Sequence, residues 1–318
     1  MRFFVVILLL VGLLAPATDA LYLLRKRATV CNGRSELCDR RYGNTTFLTA
    51  HNSFGFSSNP LALARNQEVD VQSQLNLGAR TLQGQAHLEN GQLRFCHTSK
   101  PTPAPSHLLF DGGLVVDYLK TVKAFLDANP FEVFTFIFTN PDMASIPGVW
   151  KPIFDEAGIT PLAYVPPTRP MKRNDWPTLR ELIDSNKRVI VFLDAGADGS
   201  AGGVVDFILP QFQMIWEDPF SPKDSNFPCN IDRTAGPLSN DEHLHLINHN
   251  LNVDILPGSS EVLVSDYAHA PRTNGQTSIL AHANGCAPLS QGRAPNFVLL
   301  DFVNVGEGKK TVDRLNGF

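Results

Sequence analysis

Two histidines and one aspartate stand at the ends of three predicted strands, a place where acid–base chemistry commonly finds its groups. His51 ends the segment TFLTAH, His97 ends QLRFCH, and Asp301 ends NFVLLD. One imidazole can take a proton from an attacking hydroxyl while the other gives a proton to the leaving group. A carboxylate beside the first imidazole would fix its tautomer. The alternative is that these histidines are ordinary surface or core residues, and their spacing alone does not decide between the two.

The elements that must position these residues alternate between short apolar strands and amphipathic helices. The pattern predicts strands at 46–51, 80–87, 92–97, 131–139, 188–194, 212–217, 244–249 and 296–301, and helices at 115–129, 149–157 and 179–186. The segments 131–139 and 188–194 are almost continuously apolar, which is typical of parallel strands covered on both faces. We therefore predict an α/β fold, an irregular TIM-type (β/α) barrel with loop insertions at 219–245 and 254–293.

Further polar side chains at the ends of the predicted strands are candidates for binding a substrate. They are Asn52, Gln83, Gln85, Asp194 and Asp218, the last as part of the pair Glu217-Asp218. Active sites of α/β barrels lie at the carboxyl ends of the strands, so these side chains would surround one pocket. For the two aspartates the alternative is a solvated position in a loop.

The composition is that of a folded, mildly acidic protein. The 318 residues are 43% hydrophobic and include 21 Phe, which excludes a disordered chain. The 27 basic and 31 acidic side chains exclude the strongly basic surface of many nucleic-acid-binding proteins. A length of about 150 residues per domain suggests two domains, but a single α/β barrel can hold about 250 or more. We predict one domain over residues 31–318, a monomer without a nucleic-acid partner.

The N-terminus has the pattern of a secretory signal peptide, which we place at residues 1–20. A basic residue precedes the apolar run 3–14, and small residues follow it. The run is shorter than the ~20 apolar residues that a membrane span needs. Residues 21–30 are a candidate pro-segment, since Lys26-Arg27 is either a processing site or an ordinary exposed basic pair. The signal peptide leads us to expect a secreted protein. Because anionic lipid would repel the acidic chain, we expect at most transient membrane contact.

The cysteine content agrees with an oxidising compartment. We expect two disulfides, Cys31–Cys38 in a short N-terminal loop and Cys229–Cys286 between two loop-rich segments. Cys96 is then left over, either as a buried inert thiol or as a reactive nucleophile. Asn44 begins the one glycosylation sequon, Asn44-Thr45-Thr46, and this predicts an exposed loop before the first strand.

A second group of histidines has a spacing found in zinc sites. His243, His245 and His249 fall on one face of a predicted strand, and His-x-His is a common zinc spacing. No carboxylate is firmly placed beside them, so a polar strand end is the simpler interpretation. We predict a protein without a metal or another cofactor.

Five segments, in this order, carry a resemblance to a known family. They are LTAHNS (48–53), LGARTLQGQAH (77–87), LRFCHTS (93–99), LDANPFEVFTFIF (126–138) and PNFVLLDF (295–302). With them the chain resembles the X-domain superfamily of phosphatidylinositol-specific phospholipases C, and above all the secreted fungal PLC-like phosphodiesterases. The resemblance runs from about residue 31 to the end. It implies a TIM-type barrel that cleaves phosphodiesters of phosphatidylinositol-like lipids.

The resemblance also implies roles for individual residues. In bacterial phosphatidylinositol-specific members, one histidine deprotonates the inositol 2-hydroxyl, which attacks phosphorus, and a second histidine protonates the diacylglycerol oxygen. By motif position these roles fall on His51 and His97. Asp301 takes the place of the acid that orients the base.

The residues beside the phosphate depart from both branches of this superfamily. Asn52 replaces a bacterial carboxylate and matches a metal ligand of the calcium-dependent enzymes. Gln83 and Gln85 replace the acidic ligands of that branch, and Gln85 also takes the place of a bacterial arginine. Two functions therefore stay open. One is a secreted, metal-independent phosphodiesterase for phosphatidylinositol-like or glycerophosphodiester substrates, and the other is a catalytically silent barrel that binds a phospho-head-group or another extracellular ligand.

Overall fold

The computed structural model describes residues 27–96, 111–256 and 262–318. The predicted signal peptide, residues 21–26 of the candidate pro-segment and His97 lie outside the described residues. The strands, in chain order, are β1 (Phe47–Ala50), β2 (Thr81–Glu89), β3 (Gln92–Cys96), β4 (Asp111–Leu114), β5 (Phe134–Thr139), β6 (Val189–Leu193), β7 (Ile208–Pro210), β8 (Ile215–Glu217), β9 (Leu244–Asn248), β10 (Asn252–Asp254), β11 (Leu263–Ser265) and β12 (Phe297–Leu300).

Eight of these strands form a curled parallel sheet. Their order is β7-β6-β5-β2-β1-β12-β9-β8, and every neighbouring pair in this order is parallel. β7 and β8 are the two ends of this order, and the 3-10 turn Gln211–Gln213 connects them. The sheet is therefore an irregular α/β barrel with a seam between β7 and β8, and this confirms the predicted fold class.

Helices cover the outside of the sheet. They are α1 (Val71–Asn76), α2 (Val115–Ala128), α3 (Lys151–Glu156), α4 (Leu179–Asp184), α5 (Ala270–Thr273), α6 (Gln276–Cys286) and α7 (Gly308–Leu315). The apolar stripe that predicts α2 is buried as expected, from Val115 to Leu126. α4 begins with a capping box, in which Thr178 and Glu181 each accept a hydrogen bond from the other's backbone N–H. In the three described stretches, α2 is the longest helix with 14 residues, and none has the length and apolarity of a membrane span.

Alternation along the strands divides the apolar residues into two cores. In β6, Val189, Val191 and Leu193 face the helices and belong to the outer core. Ile190 and Phe192 belong to the inner core, which fills the barrel. This double burial explains why the strand segments are almost continuously apolar.

The segment before β1 packs against the amino ends of the strands. The Cys31–Cys38 disulfide belongs to the inner core, together with Tyr42 and Trp176. The Tyr42 hydroxyl lies 2.7 Å from the Thr135 hydroxyl of β5. This end of the barrel is thus filled by side chains, and a ligand must enter from the other end.

Two parts of the chain differ from the sequence prediction. The strand predicted at 92–97 is β3, which runs antiparallel to β2 and also pairs with β4. It extends the sheet at β2 and is not one of the parallel strands of the barrel. The region 254–293, predicted as a loop insertion, contains α5 and α6, and Ile279, Ala283 and Cys286 of α6 lie in the outer core. The apolar face of α6 is short and is surrounded by Gly, Asn and Ser residues, so the sequence pattern does not predict this helix.

Candidate active site

Polar side chains occupy the inward positions at the carboxyl ends of the parallel strands. The same alternation that fills the barrel with apolar residues continues to His51 after β1, Glu217 in β8 and Asn248 in β9. These side chains surround a cavity that is open to solvent at this end of the barrel. Its lining comprises His51, Gln83, Gln85, Ile137, Thr139, Asp194, Gln211, Glu217, Phe220, Ser221, Arg233, Leu246, Asn248, Asn250 and Leu299. The cavity therefore receives residues from all eight strands or the loops that follow them.

His51 and Asp301 form a hydrogen-bonded pair at this cavity. His51 Nδ1 lies 2.7 Å from Asp301 Oδ1, and both side chains are largely buried. β1 and β12 are neighbours in the sheet, with Ala50 opposite Leu300, so each of the two residues directly follows a paired position. A carboxylate accepts the Nδ1–H, and this leaves Nε2 as the basic nitrogen of a neutral imidazole.

Two amide side chains from the loop between β1 and α1 hold this pair in place. Asn66 Nδ2 donates to Asp301 Oδ1 at 3.0 Å and to Ser265 Oγ at 2.8 Å. Gln67 Nε2 donates to the carbonyls of His51 at 2.9 Å and Leu300 at 3.1 Å. Gln67 thus ties the ends of β1 and β12 together, and the imidazole and carboxylate keep a fixed distance.

Asn52 contacts the basic nitrogen of His51. Its backbone has φ +37°, a left-handed conformation that asparagine tolerates better than most residues. This turn places Asn52 Nδ2 3.2 Å from His51 Nε2. The Asn52 N–H donates to Gln83 Oε1 at 2.8 Å, so the amide end of Gln83 is the part available to a ligand.

Arg233 brings a positive charge to the cavity, and the sequence analysis missed it. Its backbone pairs with Glu217, and its Nη2 donates to the Glu217 carboxylate, which Gln211 also contacts. The guanidinium stacks between the rings of Phe212 and Phe220, at 5.2 and 4.7 Å. Arg233 Nε is buried and has no hydrogen-bond partner among the described residues. The cavity therefore holds a cation in addition to the neutral amides of Gln83 and Gln85.

Two carboxyl groups at the cavity have a raised pKa. Burial raises the pKa of Glu217, against the opposing effects of Arg233 and the Asn248 amide. Burial also raises the pKa of Asp194, whose Oδ1 accepts a hydrogen bond from the Asn140 N–H at 2.7 Å. Both groups line the cavity, where a carboxyl group can receive hydroxyl groups of a ligand.

The structure brings together part of the predicted substrate-binding set. Gln83, Gln85 and Asp194 line the cavity with His51. Asp218 is not among the residues that line it. Its neighbour Glu217 takes the inward position of β8, so by alternation the Asp218 carboxylate points outward, where it lies 2.7 Å from His282 Nε2 of α6.

The covalent predictions can also be placed on the structure. The disulfides Cys31–Cys38 and Cys229–Cys286 both form, and the half-buried Cys96 belongs to neither of them. Asn44 is exposed at the end of a 3-10 turn, as a glycosylation site would have to be. His97, the predicted acid, lies outside the described residues.

The histidines of β9 do not converge on a zinc ion. His243 contacts the carbonyls of Ser239 and Ala235, and His245 stacks on Trp216 with 4.5 Å between the ring centres. His249 instead meets His282 of α6. The simpler interpretation of these three residues, as polar parts of a strand and its ends, is the one that the contacts support.

Burial of neutral histidines predicts a loss of stability in acid. Burial lowers the pKa of His249 to about 3, with a further contribution from His282, and it lowers the pKa of His245 well below its usual value. In the unfolded chain both imidazoles bind a proton below about pH 6.5, whereas in the folded chain they stay neutral to a lower pH. The free energy of unfolding should therefore fall as the pH drops, by about 2 kcal/mol for each such histidine at about pH 5.

Chemical denaturation between about pH 7 and about pH 5 measures this dependence. His249→Gln should flatten the slope of unfolding free energy against pH. His269→Gln, a change at an exposed histidine, should leave the slope as it is in the wild type. A wild-type stability that stays constant over this range would contradict the assignment.

Comparison with known proteins decides the family. The model of the PI-PLC X domain, described as PI-PLC X 1, matches residues 37–316. The chain belongs to the PI-PLC X-domain family. The match covers β1 to α7, so the whole barrel of this PI-PLC X domain is included.

Curated relatives of this PI-PLC X domain come from a fungus and a plant. A "PI-PLC X domain-containing protein 1" of Arthroderma benhamiae is 41% identical over 91% of this chain and 90% of the relative. An "Uncharacterized secreted protein" of the same fungus is 40% identical over 87% of this chain, which spans 60% of that relative's length. An Arabidopsis thaliana PI-PLC X domain-containing protein is 25% identical over 87% of this chain and 62% of the relative's length.

Solved structures show the same fold for this PI-PLC X domain. The phosphatidylinositol-specific phospholipase C of Staphylococcus aureus has a TM-score of 0.56 at 12% identity, over 86% of this chain and 93% of the other. The enzyme of Listeria monocytogenes has a TM-score of 0.55 at 14% identity, over 88% and 96%. At these identities the likeness concerns the fold alone.

Proposed function

We propose that the protein is a secreted phosphodiesterase that cleaves phosphatidylinositol-like or glycerophosphodiester substrates by acid–base catalysis. One observation carries the proposal: the imidazole of His51, fixed by Asp301, faces a cavity that also receives the Arg233 guanidinium. Family membership and structurally similar phosphatidylinositol-specific phospholipases C support the phosphodiester class. Two disulfides and a relative that is named a secreted protein support secretion.

His51 is the general base of the proposed reaction. Its Nε2 takes the proton of a substrate hydroxyl next to the phosphoester, and that oxygen attacks phosphorus. The Asp301 carboxylate keeps the Nδ1–H in place and stabilises the imidazolium that forms. The Asn52 amide that contacts Nε2 must give way to the hydroxyl, since both compete for one lone pair.

His97 is the general acid of the proposed reaction. As the bond from phosphorus to the leaving oxygen breaks, His97 donates a proton to that oxygen. The products are a cyclic phosphodiester of the head group and the free alcohol. The cyclic product can then be opened by water, with the two histidines exchanging roles.

Arg233 supplies the charge that stabilises the phosphorane-like transition state. Guanidinium–phosphate hydrogen bonds are charge-assisted and about twice as strong as neutral ones. The Arg233 side chain is partly exposed, so its guanidinium can donate to a phosphate oxygen, and the Gln83 amide can donate a second bond. Asp194 and Asn248, on other sides of the cavity, are placed to bind hydroxyl groups of the head group.

Phosphorus NMR of reaction products tests the proposal. The purified protein is incubated with phosphatidylinositol and with glycerophosphodiesters, with and without a chelator, and compared with His51→Ala and His87→Ala. His87 pairs with Asp142 and does not line the cavity, so it is the matched control. We expect chelator-resistant product from the wild type and from His87→Ala only. Binding of a phosphodiester without any product from the wild type would favour the silent barrel instead.

Exposed apolar side chains near the cavity predict a preference for substrate in a bilayer. Leu61 and Leu63, in the loop after β1, are 82% and 58% exposed, and Phe220 at the cavity is 59% exposed. A bilayer surface would cover such residues at the end of the barrel where substrate enters.

Replacing both leucines, Leu61→Asp and Leu63→Asp, should lower turnover of phosphatidylinositol in zwitterionic vesicles by about tenfold, since about 1.4 kcal/mol of binding corresponds to this factor. Turnover of a soluble head-group phosphodiester should not change. The control Phe131→Asp alters an exposed apolar residue before β5, at the opposite end of the barrel. Equal losses on vesicles and on the soluble substrate would argue against a bilayer contact.

A further inference from the structure

The Asn248 amide lies between the cavity and a buried network on the outer side of the sheet. Asn248 ends β9, and alternation with Leu244 and Leu246 of the inner core turns its side chain inward, where it lines the cavity. Its backbone N–H donates to Asp218 Oδ1 at 2.7 Å. Asn248 is only 3% exposed, so its few accessible atoms are those that face the cavity.

The partners of Asn248 Nδ2 decide which end of the amide faces a ligand. Nδ2 lies 2.9 Å from the Asp218 carbonyl oxygen, 3.3 Å from Asp218 Oδ1 and 3.4 Å from Glu217 Oε2. A backbone carbonyl can only accept, so the amide atom beside it is the NH2 group. Asn248 Oδ1 makes no hydrogen bond with a described residue and, in contrast to Asn250 Oδ1, is not fully buried. The cavity therefore presents an acceptor at this point.

A chain of polar groups holds Asp218 from the outer side of the sheet. Asp218 Oδ2 lies 2.7 Å from His282 Nε2. His282 Nδ1 lies 2.9 Å from His249 Nδ1, and His249 Nε2 lies 2.8 Å from the Thr273 carbonyl. Because that carbonyl only accepts, His249 carries its proton on Nε2, and His282 Nδ1 is the donor of the histidine pair. A second proton, on His282 Nε2, makes an imidazolium opposite Asp218 and keeps this carboxylate an anion.

We propose that Asp218 is a positioning residue that holds Asn248 as the hydrogen-bond acceptor for one hydroxyl group of the head group. The inference rests on the proposed function and narrows it, since the head group must be a polyol that donates a hydrogen at this point. A free amide can turn over and offer either a donor or an acceptor, whereas the contacts with Asp218 hold this one in a single orientation. A head group that cannot donate there leaves Oδ1 unpaired and loses affinity.

Binding of non-cleavable head-group analogues to the wild type tests the inference without any variant. Inositol phosphonates, each with one hydroxyl other than the attacking one replaced by hydrogen or by fluorine, are titrated into the full-length protein in a calorimeter. At one ring position we expect both replacements to weaken binding by about 10- to 100-fold, because neither can donate a hydrogen bond. Fluorine is an acceptor, so a fluoro analogue that keeps its affinity where the deoxy analogue loses it would show that the amide presents its NH2 group, and this would overturn the proposal.

Substitutions of the two residues should remove this discrimination. Asn248→Ala should weaken binding of the parent phosphonate by about 10- to 100-fold but change binding of the sensitive deoxy analogue by less than about twofold, because that analogue lacks the group that Asn248 contacts. Asp218→Ala should give the same pattern with a smaller loss of about 3- to 10-fold, since the backbone carbonyl still holds Nδ2. Asn226→Ala removes an exposed amide that bonds to Asp224 and should bind both compounds as the wild type does.

Binding and cleavage are separate measurements, so failure of this inference can be told from failure of the proposed function. Cleavage together with equal affinity for all analogues would overturn the inference alone, and discrimination without cleavage would overturn only the phosphodiesterase. A folded Asn248→Ala protein that loses affinity for the parent and the deoxy analogues alike would also overturn the inference, as would a wild type that does not bind the parent phosphonate. Asp218→Ala leaves His282 without its counter-ion and can unfold the barrel, so the wild-type series and Asn248→Ala decide.

Discussion

His51→Ala should lower kcat for phosphodiester cleavage by about 10²- to 10⁴-fold, because a positioned general base contributes about this much. The affinity for a phosphodiester should stay within about threefold of the wild type, since the imidazole acts on the attacking hydroxyl and not on the phosphate charge. Steady-state kinetics on a soluble head-group phosphodiester, together with equilibrium binding of a non-cleavable analogue, measures both quantities.

Asp301→Asn is the companion variant for the base. Its amide keeps the size of the carboxylate but cannot hold the Nδ1–H of His51 in the same way, so most of the loss in kcat should recur. His269→Ala, at an exposed histidine paired with Asp266, is the control for the loss of an imidazole. If His51→Ala keeps more than about a tenth of the wild-type kcat, His51 is not the base.

Arg233→Gln should lower kcat/KM by about 10²- to 10³-fold, the usual effect of removing one preorganised charge from a developing oxyanion. The cavity has no other arginine or lysine among its lining residues in the described part of the chain. Arg233→Lys should recover only part of the activity, because a lysine cannot form two parallel hydrogen bonds to phosphate.

Arg272→Gln is the matched control for Arg233→Gln. It removes the same charge from an exposed position on α5, away from the cavity. Thermal unfolding of each variant separates a kinetic effect from a loss of fold, which is needed because Arg233 also pairs with the buried Glu217. Wild-type kinetics in a folded Arg233→Gln protein would show that the phosphate is bound elsewhere.

Strand alternation explains which site residues were predictable. His51, Gln83 and Asp194 occupy inward positions at strand ends, so a period of two residues is enough to place them at one cavity. The same rule places Asp218 away from the cavity, because β8 turns Glu217 inward and the next residue outward. A register of one residue decides whether a carboxylate faces substrate or a helix.

Loop residues could not be placed from the sequence. Asn66 and Arg233 reach the site from irregular segments, which have no period that a pattern could detect. Tertiary contacts fix the positions of both residues. Asn66 donates to Asp301 and Ser265, and the backbone of Arg233 pairs with that of Glu217. Buried strands such as β5 and β6, by contrast, can be predicted from the sequence, since both of their faces must be apolar.

The most direct test of the account is how each histidine variant responds to the leaving group. An inositol phosphodiester with a nitrophenol leaving group needs little protonation, whereas one with an alcohol leaving group needs a general acid. We predict that His97→Ala is strongly impaired on the alcohol substrate and nearly normal on the nitrophenol substrate, while His51→Ala is equally impaired on both. If the two variants respond alike, or if the wild type cleaves neither substrate, the proposed division of acid and base at one phosphorus is wrong.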